Sequence, residues 1–236
     1  MVLKVSKMKS GEPEIFQSIQ GEGITAGVPS VFIRLATCNL ACNWCDTKYT
    51  WDWRHYDYDT QVMQMPLEEI ESKLATYKVP NLVITGGEPL LQQDELSDLV
   101  ESLTQQGFCC ELETNGTISP NPRMKNSVGQ WNVSPKLSSS GNRPGTMERP
   151  DALKTFSQID RAWFKFVVVK PTDLDEICEL SDRYDIPADR VLLMPEGTSQ
   201  TVLEQRGRWV SAVCIENGFR FSPRLHIMLW GDQRGR

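Results

Sequence analysis

Cys38, Cys42 and Cys45 bring three of the chain's seven cysteines within eight residues, separated by three residues and then by two. Thiolates bind soft metals, and spacings this short let one loop turn several sulfurs towards one centre. A structural zinc site closes with four ligands, and no fourth Cys or His lies at a pairing distance here. Three local thiolates suit three irons of a 4Fe–4S cube better and leave one iron open. An open metal is what a substrate needs if it is to enter the coordination sphere. Positions i, i+4 and i+7 also share one helix face, so a buried stripe is the competing reading. Asn39, Asn43, Asp46 and Thr47 are weak helix formers that prefer turns, which favours a loop.

Other groups able to do chemistry follow apolar runs. Arg34 is a charge inside the strand expected at 31–35, and it is either solvated, paired, or a bidentate clamp for a ligand carboxylate. Phe16-Gln17-Ser18-Ile19-Gln20-Gly21-Glu22-Gly23 follows a short N-terminal strand and reads as a turn segment, whose two glycines permit a tight turn and close backbone approach to a ligand. Thr47, Thr85, Glu113, Ser134 and Lys136 each come just after a predicted strand, as does Gly86-Gly87-Glu88-Pro89. In a parallel α/β architecture, the carboxyl ends of the strands carry the site. These residues would therefore gather on one rim, and their convergence is stronger evidence for a site than any one of them.

The elements that must position them can be read along the chain. Strands are expected at 31–35, 81–85, 108–113, 131–134, 163–169 and 191–194. Helices are expected between them: one opened by Pro66, one carrying Leu96, Leu99, Val100 and Leu103 and ended by Gly107, and two later ones. Six strands interleaved mostly with helices suggest parallel βα units. Six leave a barrel partial, so the expected fold is α/β, a partial (β/α)6 TIM-like barrel formed by one domain over 1–236. Residues 138–150, rich in Ser, Gly, Pro and Arg, read as a mobile loop. Residues 51–59 are dense in aromatics and acids and suit a lid, a dimer surface or a docking face.

The chain has 236 residues and a formal net charge of −6, which argues against nucleic acid as a main partner. No stretch approaches the apolar length of a signal peptide or a membrane span. Cys109, Cys110, Cys178 and Cys214 lie in apolar patterns and are expected to be buried small hydrophobes. The odd cysteine count argues against a disulfide framework and points to reducing cytoplasm.

The cysteine spacing, with the aromatic Trp44 before the third cysteine, resembles that of radical S-adenosylmethionine enzymes. Gln20-Gly21-Glu22-Gly23, Arg34, Cys45-Asp46-Thr47, Gly86-Gly87-Glu88-Pro89, Glu113-Thr114-Asn115-Gly116 and Ser134-Pro135-Lys136 then occur in order. Together they resemble the 7-carboxy-7-deazaguanine synthase family over nearly the whole chain. The resemblance implies a lyase of 7-deazapurine (queuosine) biosynthesis that converts 6-carboxy-5,6,7,8-tetrahydropterin to 7-carboxy-7-deazaguanine and ammonia. It implies a 4Fe–4S cluster on Cys38, Cys42 and Cys45, and S-adenosylmethionine against Trp44, Gly87, Ser134, Pro135 and Lys136. The pterin would meet Ile19, Gln20, Gly21, Arg34, Thr85 and His226, with Glu22 and Glu113 as further polar partners, and Mg²⁺ would meet Thr47. It further implies hydrogen abstraction from C6 and return of that hydrogen, so that S-adenosylmethionine acts catalytically. A flavodoxin or ferredoxin electron donor and a homodimer complete the expectation. A glycyl-radical-activating enzyme shares the cysteine loop but needs a peptide groove, and a non-enzymatic iron–sulfur sensor needs no substrate site at all.

Overall fold

In the computed structural model, which describes residues 1–236, ten strands form one sheet. They are β1 (Val2–Ser6), β2 (Ile15–Ile19), β3 (Pro29–Leu35), β4 (Val62–Pro66), β5 (Asn81–Gly86), β6 (Cys109–Thr114), β7 (Gln130–Val133), β8 (Ala162–Val168), β9 (Val191–Pro195) and β10 (Arg220–Phe221). β3, β5, β6, β7, β8 and β9 are neighbours in that order and pair in parallel, which are the six strands expected from the sequence. The path runs from β10 at one edge to β4 at the other, so the barrel is open at the side.

Parallel strands need crossovers, and helices supply most of them. The helices are α1 (Tyr58–Gln61), α2 (Leu67–Leu74), α3 (Gln93–Gln105), α4 (Pro122–Ser127), α5 (Pro150–Ser157), α6 (Asp173–Arg183), α7 (Gln200–Asn217) and α8 (Leu225–Trp230). α3 buries Leu96, Leu99, Val100 and Leu103, the periodic face seen in the sequence, and Gly107 beyond it takes φ +92°. That left-handed turn is open to glycine at little cost and ends the helix.

Period two along each strand sorts its side chains between two faces. Leu82 and Ile84 of β5, Leu112 of β6, Trp131 and Val133 of β7 and Phe164 and Phe166 of β8 join the main apolar core. The alternate residues on these strands and on β3 lie outside that core and include Arg34, Thr85, Glu111, Glu113, Asn132 and Lys165. Glu111, 3% exposed, accepts hydrogen bonds from Thr25, Asn81, Gln130 and Asn132. The concave face is therefore a hydrogen-bonded polar layer, as buried polar groups require.

Several expectations need correction. Residues 15–19 form a strand, antiparallel to β3, so the turn begins only at Gln20. Residues 62–66 pair antiparallel with β1, and Pro66 ends that strand before α2 starts. Cys109 is exposed at the first position of β6, and Cys178 is only partly buried, while Cys110 and Cys214 are buried as expected. Residues 138–150 do not hang free. Ser140 accepts the Asn43 N–H at 2.9 Å, and Asn142 accepts the Ala41 N–H at 2.8 Å, so this loop clamps the cysteine loop. No helix is long and apolar enough to cross a membrane.

Candidate active site

The cysteine loop leaves the carboxyl end of β3 through Thr37, whose φ of 77° is unusual for a β-branched residue and marks backbone strain there. The strain is held from beside it. Gly87 donates its N–H to the Leu35 carbonyl at 3.0 Å, and Glu88 donates its N–H to the Thr37 carbonyl at 2.8 Å. A Cβ on Gly87 would stand 1.9 Å from the Thr37 oxygen, so only glycine allows the two loops to approach this closely. Glu88 is fully buried and accepts from Leu90 N, Thr114 Oγ1 and Asn115 N at 3.0, 2.8 and 2.6 Å, which ties the end of β5 to that of β6. Burial raises its pKa despite those donors.

Each cysteine of the loop has its own side-chain N–H donor. Asn142 Nδ2 donates to Cys42 Sγ at 3.1 Å, Trp51 Nε1 to Cys45 Sγ at 3.3 Å, and Asn115 Nδ2 lies 3.9 Å from Cys38 Sγ. Such donors stabilise negative charge on sulfur and tune an iron–sulfur centre. Without a metal, burial pushes the Cys38 thiol up to about 12, so loading must displace a proton there. No three His, Cys, Asp or Glu side chains are gathered as a cage for a single ion. Three soft thiols on one loop, each beside a side-chain N–H donor, fit the ligand set of a 4Fe–4S cluster.

All three thiols line one cavity of about 530 Å³. Of the residues expected at the site from the sequence, Ile19, Gln20, Gly21, Arg34, Trp44, Thr47, Thr85, Gly87, Ser134, Lys136 and His226 line it too. Pro135 does not; it is buried between Ser134 and Lys136. Lys136 Nζ is held by the Ser134 carbonyl and hydroxyl, both at 2.8 Å, and sits 5.7 Å from the Trp44 ring centre. Trp44 Nε1 is buried with no partner in the protein. An orphaned donor and a fixed cation beside the cluster loop fit a polar cofactor such as S-adenosylmethionine.

The opposite wall is a charged network. Thr85 Oγ1 donates to Glu113 at 2.7 Å, and Gln20 Nε2 lies 3.4 Å from the same carboxylate. Lys165 pairs with Glu22 and lies 3.9 Å from Glu113, while Arg224 pairs with Glu22 at 3.1 Å and with Asp46. Burial alone would raise the Glu22 pKa, but Lys165, Arg224 and His226 outweigh it and hold the carboxyl below the usual range. Burial lowers the His226 pKa, with Arg224 adding to the effect against Glu22. The Gln-Gly-Glu-Gly segment now has a reason: a Cβ on Gly21 would lie 2.1 Å from His226 Nδ1. Leu225 N donates to the Gly21 carbonyl at 2.8 Å, so the start of α8 docks on that glycine.

Lys165, Arg224, Glu14 and Asn142 escaped the sequence reading. Lys165 carried the signal that exposed Arg34, a charge inside an apolar strand. Asn142 and Arg224 gave no local signal, because the groups they meet at the site, Cys42 for Asn142 and Asp46 and Glu22 for Arg224, lie 100, 178 and 202 residues away.

An open parallel α/β barrel with a three-thiol loop after its first parallel strand defines a radical S-adenosylmethionine enzyme. A family model described as "4Fe-4S single cluster domain" matches residues 19–121. The chain is 41% identical to a 7-carboxy-7-deazaguanine synthase from Pyrobaculum aerophilum, over 94% of this chain and 96% of that one. It is 37% identical to one from Hyperthermus butylicus, over 92% and 91% of the two chains. The chain belongs to the 7-carboxy-7-deazaguanine synthase family. The crystal structure of QueE from Escherichia coli superposes with a TM-score of 0.70 at 27% identity, covering 94% of this chain and 93% of that one. Streptococcus suis SuiB, at 16% identity and a TM-score of 0.53, shares the fold.

Proposed function

We propose that this chain, acting as one radical S-adenosylmethionine domain over 1–236, converts 6-carboxy-5,6,7,8-tetrahydropterin to 7-carboxy-7-deazaguanine with loss of ammonia. The observation that carries this reading is one cavity joining three thiols to Arg34 and to the Thr85–Glu113–Gln20 edge. Its volume of about 530 Å³ is in the range of small-molecule sites. That favours a bicyclic substrate over the peptide of a glycyl-radical activator, and a built substrate wall favours an enzyme over a sensor.

Cys38, Cys42 and Cys45 hold the 4Fe–4S cluster, and Trp44, Gly87, Ser134 and Lys136 form the S-adenosylmethionine side, with Pro135 packed behind them. When bound, the cluster and S-adenosylmethionine supply an electron and a carbon radical that removes hydrogen from C6 of the pterin. The protein's task is positioning and exclusion of water. Ile19, Gln20, Gly21, Thr85 and His226 orient the pterin, with Glu113 accepting from its donor edge. Arg34 takes the carboxylate. Its Nε is held by Glu14 at 2.8 Å, and its two Nη atoms make no hydrogen bond within the protein. A charge-assisted pair lost from a dry site costs roughly 2–5 kcal/mol, so Arg34→Ala should raise the KM for the carboxypterin about thirty-fold or more. An unchanged KM removes Arg34 from this role.

Thr47 supplies an oxygen to Mg²⁺. Its hydroxyl lines the cavity 3.5 Å from Cys45 Sγ, and neighbouring Asp46 is committed to Arg224. One neutral protein oxygen suits a hard cation bound mainly through substrate and water. Thr47→Ala should keep the cluster and S-adenosylmethionine binding and lose most of the Mg²⁺ activation, while Thr47→Ser retains much of it. Turnover titrated with Mg²⁺ checks this, and a wild-type curve for Thr47→Ala would place the metal elsewhere. A flavodoxin or ferredoxin donor, a homodimer and a cytoplasmic setting belong to the same reading.

A further inference from the structure

The carboxyl-terminal tail returns to the cavity, whose lining includes Lys9 and residues 232–236. It brings Arg234 to Glu14, a side chain with no exposure. Glu14 Oε1 accepts from Arg34 Nε at 2.8 Å and from the Tyr49 hydroxyl at 3.0 Å. Its Oε2 is taken by Arg234, with Nε at 3.0 Å and Nη2 at 2.9 Å. Arg234 is fixed on its other sides by the Lys7 carbonyl and by Gln61 Oε1 at 3.2 Å, and its guanidinium lies 3.5 Å from the Tyr49 ring centre.

Two guanidiniums therefore share one buried carboxylate, and the Asp46 charge acts on Arg34 from beyond hydrogen-bond distance. A guanidinium whose fork is only partly used and faces a cavity suits an anion. The donors of Arg234 are largely used, whereas both Nη atoms of Arg34 are free. Carboxylate and guanidinium prefer to pair through two parallel bonds. Glu14 does not do this with Arg34, because its second oxygen is already occupied.

We propose that Arg234 is a positioning residue for the substrate's carboxylate: by occupying Glu14 Oε2 it stops Glu14 from closing on Arg34 and keeps the Arg34 fork available to an anion in the cavity. This rests on the assignment of Arg34 to the substrate carboxylate. It makes Arg234 part of substrate selection.

The test uses anaerobically reconstituted, S-adenosylmethionine-loaded protein and two fluorescent ligands, 6-carboxypterin and pterin, which differ only in the carboxyl group. Wild type should prefer 6-carboxypterin. Arg234→Ala should lower that preference about ten-fold, the scale of one hydrogen bond to a charged group, and leave pterin binding unchanged. Arg234→Lys keeps the charge without the fork and should fall between them. Adding Glu14→Gln to Arg234→Ala removes the competing carboxylate charge and should restore at least part of the preference, which a purely structural anchor cannot explain. The proposal is overturned by a wild-type preference in Arg234→Ala, by equal loss of both ligands, or by no recovery in the double variant. If wild type itself shows no preference for the carboxyl group, the Arg34 assignment fails first.

Discussion

Replacing Cys38, Cys42 or Cys45 with alanine should abolish both cluster assembly and turnover, whereas Cys109→Ala should preserve both. The three loop thiols line the cavity, and Cys42 and Cys45 each accept a side-chain N–H within 3.3 Å. Cys109 is exposed at the beginning of β6, at the opposite end of that strand from Thr114 and the cavity. A cube held by two thiolates loses a third of its protein bonds, and no other cysteine lines the cavity to replace the missing one. Iron and sulfide content after anaerobic reconstitution, with the visible spectrum of the cluster, reads the outcome. Wild-type iron content in Cys42→Ala would remove these thiols from the ligand set.

Gly87→Ala should be nearly as damaging, although it adds only a methyl group. Its Cβ would meet backbone, the Thr37 oxygen at 1.9 Å and the Cys38 nitrogen at 3.0 Å, so no rotamer change can relieve the clash. The cysteine loop must move, and a displacement of about 1 Å at a reacting centre can cost about a hundred-fold in rate. The expected result is a protein that still binds iron, has weakened S-adenosylmethionine binding, and has lost at least that much turnover. The change in the reduced cluster's paramagnetic spectrum on adding S-adenosylmethionine separates these effects. Wild-type turnover in Gly87→Ala would mean that the two loops are less tightly coupled than their contacts imply.

The parts of this site legible in the sequence are those whose signal is local. Three cysteines in one loop, a glycine pair after a strand and a charge within an apolar run each announce themselves within eight residues. The six parallel strands were legible for the same reason, since a buried strand reads as a short apolar run between turn residues. What was hidden depends on partners far along the chain. β4 is a strand because β1 offers it a ladder, and its sequence, Val-Met-Gln-Met-Pro, does not distinguish that from the approach to a helix. Residues 138–150 have the composition of a free loop, and only the Asn142 contacts to Ala41 and Cys42 show it to be a clamp. Glu14 looks like an ordinary polar residue before a strand, yet it is the fully buried centre to which Arg34, Tyr49 and Arg234 all bind. Pro135 fell inside a motif whose neighbours face the cavity, while its own side chain is packed away.

The central claim is that this cavity rearranges a carboxylated tetrahydropterin and returns the abstracted hydrogen, so that S-adenosylmethionine is not consumed. The direct measurement is anaerobic turnover of 6-carboxy-5,6,7,8-tetrahydropterin with limiting S-adenosylmethionine, a low-potential reductant and Mg²⁺. 7-Carboxy-7-deazaguanine, ammonia and 5′-deoxyadenosine are quantified together. The account predicts equal amounts of deazaguanine and ammonia, both many times the S-adenosylmethionine supplied, with little free 5′-deoxyadenosine. One 5′-deoxyadenosine released per product, or cleavage of S-adenosylmethionine with no 7-carboxy-7-deazaguanine formed, would contradict it.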